Sequence, residues 1–153
     1  MRGNITKKIP LIFWFPGFAH SGRLQQNVSL LSVAPTILDY TGSRLPHWME
    51  GASVLSDEIR SCKRILTGSA GPWDKDFSYV LSDPPFFSLW QLTMIVCDRF
   101  YTLDLVANKL RKGFIEGHKG ECNQCERISE TKAREFFIDH LKQAGYDTAS
   151  INR

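Results

Sequence analysis

No run of apolar residues in this chain approaches the roughly 20 needed to carry a helix across a bilayer. The longest early run, Ile9 to Phe15, stops at Pro16-Gly17. The same stop argues against a secretory signal, which sets an apolar core of about 7–15 residues directly behind a basic start. Repeats and low-complexity stretches are absent, and with 42% hydrophobic and 23% charged residues the composition is that of a folded chain rather than a disordered one. Charge of one sign is scarce. The net charge is +3, and basic residues gather only at Lys7-Lys8 and at Lys109, Arg111 and Lys112, so no nucleic-acid partner is expected. Cysteines are few: Cys62, Cys97, Cys122 and Cys125. An oxidising compartment would pair them in an order that sequence leaves open, and the cytosol would keep them reduced.

The residues present suffice for one domain with a core, which at 153 residues buries roughly 68–70% of the unfolded chain's surface. Residues 9 to 15 are apolar, aromatic and too short for a helix, which predicts a strand covered on both faces. Residues 18 to 26 read as a loop. From Ser32 the signals turn helical: a cap-competent hydroxyl, Pro35 in the first turn and Gly42 at the stop, with Val33, Thr36, Ile37 and Tyr40 on the face expected to meet a sheet. Short strands are predicted at 65–68 and 77–81. The stretch 86–105 should hold one or two more, with a helix over 87–96 as the alternative by periodicity. Ser129 opens an amphipathic helix that ends at Gly145, and residues 146–153 should fray.

Three blocks in order, Ile9-Pro10-Leu11-Ile12-Phe13-Trp14-Phe15-Pro16-Gly17, then Val28-Ser29-Leu30-Leu31-Ser32-Val33-Ala34-Pro35-Thr36-Ile37-Leu38-Asp39-Tyr40-Thr41-Gly42, then Leu45-Pro46-His47-Trp48-Met49-Glu50-Gly51-Ala52-Ser53-Val54-Leu55, together resemble the late part of a sulfatase-type hydrolase of the alkaline phosphatase superfamily. Val96 to Leu105 resembles its late strands; residues 109–153 match nothing in the pattern. Ser32 stands where the family usually has aspartate, and Glu50 where an aspartate usually precedes the glycine.

The resemblance implies an α/β fold: the C-terminal part of an alkaline-phosphatase-like α/β/α fold, with a small antiparallel sheet and a terminal helix. It divides the chain into the end of the sulfatase-like core (1–58), a C-terminal sheet-plus-helix subdomain (59–145) and a flexible tail (146–153). It also implies a reaction, metal-dependent hydrolysis or transfer of sulfate or phosphate esters, supported in the complete enzyme by calcium, magnesium or zinc. The family's nucleophile motif, paired aspartates and Asp-His-Gly motif do not occur in this sequence. No catalytic residue and no cofactor are therefore assigned to this chain, which is expected to be inactive by itself. Its implied partners are a missing N-terminal catalytic portion and the parent's ester substrate, with self-association through the exposed flank of strand 9–15. A periplasmic or other extracytoplasmic setting is also implied, with a membrane-anchored parent as one route to it. The alternative is a non-enzymatic binding module for a protein or lipid-headgroup partner.

Candidate site residues are few. His20 and Arg23 follow the expected strand, at the end of a sheet where α/β sites form and where an imidazole and a guanidinium suit an anion. A solvated loop histidine is the plainer account of His20. His47 and Trp48 lie after Pro46 and are candidates to line a cleft. His118, Cys122 and Cys125 have half the spacing of a zinc site, and Cys62 and Cys97 are able to complete it only through the fold. A thiol redox pair is the other reading of Cys122 and Cys125, and the resemblance favours structural disulfides. Phe86, Phe87, Trp90, Phe100 and Tyr101 are expected to be core.

Overall fold

Strand-forming residues recur in short runs from Ile65 onward, and each run finds its neighbour next in sequence. The computed structural model describes residues 9–57, 63–70, 89–118, 122 and 125–151. Within them β1 (Ile65–Ala70), β2 (Leu89–Val96), β3 (Arg99–Asp104) and β4 (Lys109–Phe114) form an antiparallel meander in that order. The protein is thus mixed α/β, with a four-stranded antiparallel sheet and a C-terminal helix.

Register explains the core. Met94 pairs with Tyr101 and Leu92 with Leu103, so these four project from one face of the sheet. Helix α2 (Glu130–Gln143) lays Ala133, Phe137, Ile138 and Leu141 into the same core. On the other face Thr93 opposes Thr102, both buried, with their hydroxyls 2.9 Å apart. The Tyr101 hydroxyl donates to the Ile128 carbonyl at 2.6 Å, which satisfies a polar tip that burial would otherwise penalise.

Helix α2 begins as predicted: the Ser129 hydroxyl accepts the Lys132 N–H at 3.2 Å. It ends with Gly145 in the left-handed region and the Tyr146 N–H bonded to the Leu141 carbonyl. The next residues do not fray. Thr148 and Ile151 are buried, and the Arg134 guanidinium, reaching along α2's flank, donates to the Ile151 and Asn108 carbonyls and to the Asn108 side chain. The expected tail is therefore docked as far as residue 151.

Two further expectations are corrected. Residues 9–15 form no regular element and join no strand ladder among the described residues. Instead of being covered on both faces, residues 9–12 are exposed and only 12–15 alternate. Phe13 and Phe15 are half-buried and stack on each other with centroids 5.9 Å apart, while Ile12 and Trp14 are 85% and 78% exposed. Apolar composition allows a buried strand, but only a neighbouring ladder makes one. The second correction concerns α1 (Val33–Tyr40), which packs on the 3-10 turn Leu30–Ser32 before it rather than on the sheet. Pro35 and Thr36 are its buried residues, whereas Ile37 and Tyr40 lie open.

The helical alternative for 87–96 gives way to β2 over the described residues 89–96. Strand β4 is an addition to the elements that the sequence predicts. The strand expected at 77–81 and the aromatics Phe86 and Phe87 lie outside the described residues.

Candidate functional site

The second and third motif blocks meet through one threonine. Thr36, fully buried, donates its hydroxyl proton to the Ser32 carbonyl at 2.6 Å and accepts the Val54 N–H at 3.0 Å. One side chain thereby ties the turn before α1 to the loop after Gly51. Gly51 closes the same junction from the other side. Its φ is +98°, and a Cβ there would sit 2.3 Å from the Leu31 carbonyl oxygen, so the two chain segments approach more closely than any side chain permits. Ala52 and Ser53 are buried beside it.

The first block reaches this unit through aromatic contact. Phe15 lies 4.8 Å from the Tyr40 ring and 5.3 Å from the His20 imidazole, centroid to centroid. His20 is thus an exposed member of an aromatic cluster, with Tyr40 at 6.1 Å. Arg23, His47 and Trp48 are exposed as well, Trp48 to 70%. An open cleft of about 660 Å³ lies between residues 27–52, the β1–β2 side of the sheet and the end of α2, with Glu50, Lys63, Arg64, His140 and Tyr146 as its titratable lining. None of His20, Arg23, His47 and Trp48 lines it. The four candidates therefore remain surface residues of the motif unit and do not line that cleft.

A second cluster gathers at the β2–β3 turn. Cys97 is the first turn residue and holds a φ of +50°, and its carbonyl accepts the Asn27 side-chain N–H at 2.5 Å. Its sulfur is bonded to Cys122, 25 residues on. Cys125 is disulfide-bonded as well, and no described cysteine is free. The Sγ atoms of Cys97, Cys122 and Cys125 all lie within 4.8 Å of one another, and the His118 Nε2 is 3.4 Å from the Cys97 sulfur.

The chain matches no protein-family model and no curated protein. Geometry and residue chemistry therefore carry the functional argument.

Among the described residues, the cysteine group is the one place where three or more metal-ligating side chains converge. Sulfur donors are soft, whereas the hard divalent ion of ester hydrolysis is held by carboxylates with imidazole support. Without carboxylates the set does not suit calcium or magnesium, and with His118 it would give zinc four protein ligands and leave no open position for water or substrate, so no step of ester chemistry is derived through it. Spacing reveals Cys122 and Cys125, with His118 four residues ahead. It does not reveal Cys97, whose place depends on the register of β2 against β3. A cysteine followed by aspartate between two β-rich runs is the available signal for that turn.

Glu126, next to Cys125, has its carboxyl held below its ordinary pKa, first by a hydrogen bond from Lys132 and its charge, then by Arg64. Both partners sit 3.1 Å away in an exposed network. Such pairs orient a surface more than they stabilise it.

Proposed function

We propose that this chain is the C-terminal portion of a sulfatase-type, metal-dependent hydrolase or transferase of sulfate or phosphate esters. In that role it belongs to the end of an alkaline-phosphatase-like α/β/α fold, completes its sheet and walls its cleft. The nucleophile and the ions, calcium, magnesium or zinc, are contributed by the rest of the polypeptide. The observation that carries this reading is the Thr36–Gly51 junction: residues shared with the family pattern are those that make one block fold onto the next. Ile12 and Trp14 support it too, because apolar side chains left open on an unpaired segment are what a covered strand presents once its neighbours are gone.

The test has two parts. The isolated chain, given an aryl sulfate or an aryl phosphate with calcium, magnesium or zinc, should show no turnover above buffer; robust metal-dependent turnover would overturn the assignment. The reading frame ahead of Met1 should encode a nucleophile motif and Asp-His-Gly, and a stop codon there would count equally against it. In that event the second reading takes over, a binding module whose exposed Trp14 and Trp48 meet a protein or lipid-headgroup partner. A monodisperse monomer with one cooperative melt would favour that module.

A further inference from the structure

We infer that Cys97, His118, Cys122 and Cys125 form a site for one zinc ion in the reduced chain, a site that disulfide formation closes. Three separate elements bring the donors together. The β2–β3 turn presents Cys97. The chain leaving β4 is tied back to that turn by the Ile115 N–H on the Asp98 carbonyl, at 2.6 Å, and it then bends through the His118 N–H to the Ile115 carbonyl. That bend returns the imidazole to the Cys97 sulfur. The third contribution is the pair Cys122 and Cys125, held together by the Cys125 N–H on the Cys122 carbonyl at 3.0 Å, with both sulfurs within 4.8 Å of that of Cys97.

The dimensions suit the ion. Zinc–sulfur bonds of about 2.3 Å and zinc–nitrogen bonds of about 2.0–2.1 Å place tetrahedral ligands roughly 3.8 Å apart for two sulfurs and about 3.5 Å apart for sulfur and nitrogen. Reduction must first let the bonded Cys97 and Cys122 sulfurs move apart to that spacing; the other Sγ separations, within 4.8 Å, and the Nε2–Sγ distance of 3.4 Å then need only small side-chain shifts to reach it. Three thiolates and one imidazole with a Cys-x-x-Cys pair make a recognised structural zinc set. All four side chains are half-buried, so the ion would be reachable yet sheltered.

The alternation balances with a dithiol as reductant. Each protein disulfide accepts two electrons and two protons from one dithiol, which closes to its own cyclic disulfide. Zinc then displaces the thiol protons of Cys97, Cys122 and Cys125 to the buffer as their sulfurs become ligands. None of its residues belongs to the three motif blocks that carry the ester-hydrolase reading, and only Cys97 lies in the 96–105 stretch that resembles the family's late strands.

The deciding experiment titrates the full chain with cobalt(II), then displaces the cobalt with zinc. A phosphine serves as reductant there because it competes little for the metal; it takes one oxygen from water as the two protons pass to the sulfurs. One cobalt per chain, tetrahedral ligand-field bands and thiolate charge-transfer absorption are expected after reduction and none before. X-ray absorption of the zinc form should show three sulfurs and one nitrogen. His118→Ala should weaken binding by at least about 10-fold, and His118→Cys should restore it with a fourth sulfur. Far-ultraviolet circular dichroism of each reduced variant separates ligand loss from unfolding. No stoichiometric binding by reduced chain, a four-sulfur shell in the unmodified protein, or unchanged affinity in a folded His118→Ala variant would each overturn the site.

Discussion

Thr36 acts as both donor and acceptor within a fully buried setting, which makes it the most consequential polar side chain of the motif unit. Thr36→Val keeps the shape and removes both bonds. The Val54 N–H loses its partner, and the expected loss is about 1–3 kcal/mol, read as a lower urea midpoint at constant slope. Gly51 and Gly42 make a sharper comparison. Both have positive φ, but a Cβ at Gly42 meets nothing within 4 Å, whereas at Gly51 it runs into the Leu31 carbonyl. Gly42→Ala should cost about 1–2 kcal/mol for left-handed backbone alone, and Gly51→Ala clearly more. Equal losses would mean that the Leu31–Gly51 approach is not tight in solution. The sequence pattern singles out Thr36 and Gly51 as shared with a family, but it carries no sign of their joint role. It also places the cap on Ser32. Ser32 already has helical backbone angles and makes no side-chain cap bond, while Ser29, in extended conformation, accepts the Leu31 N–H.

At the scale of elements, helix α2 is legible from end to end because every signal is local: a hydroxyl at the cap, spaced apolar residues and a terminal glycine. Ser129→Ala should lower stability by about 1 kcal/mol. The segment after α2 is not legible, because residues 146–151 are held by Arg134, whose partners lie 17 and 26 positions away. Arg134→Met keeps the stem and removes the bonds; amide exchange at Ile151 should accelerate well before global unfolding. Exchange at the native rate there would mean that the buried Ile151 side chain docks the segment alone. Strand β4 is hidden in the sequence because Lys109, Arg111 and Lys112 interrupt its apolar pattern. As an edge strand it is suited to carry them, since charge on an open edge discourages pairing with other chains. The Glu126 network gives this layer a pH dependence. A carboxyl with a lowered folded pKa contributes stability above its unfolded value of about 4.3 and loses it as pH falls through the folded value. Lys132→Met should therefore raise the Glu126 carboxyl's titration midpoint in carbon-detected NMR and flatten the stability slope in that acid window.

The whole molecule is unevenly covered. One end has a continuous core from Leu92 to Ile151, while residues 9–48 leave Ile9, Ile12, Trp14, Leu30, Leu31, Ile37 and Trp48 more than half exposed. Apolarity of a segment can be read from sequence; the neighbour that would cover it cannot, which is why residues 9–15 read as a buried strand and are found open. Covering those seven side chains would release on the order of 7–14 kcal/mol, at about 1.5–3 kcal/mol for burying a fully exposed one and scaled by the part of each that is exposed. Joining a separate molecule costs an estimated 4–15 kcal/mol in lost freedom, so a second copy should hold on only weakly. A cover tethered in the same polypeptide avoids most of that cost, and this asymmetry favours the missing-portion reading over a permanent homodimer. Light scattering of the isolated chain should then show reversible association setting in at micromolar or higher concentration. Trp14→Ser combined with Trp48→Ser should suppress it and should reduce binding of an apolar fluorescent dye without lowering the melting temperature, because neither ring contributes to the core. A tight dimer that ignores both substitutions would place the contact elsewhere. A strict monomer that binds no dye would mean that the face is already covered in solution.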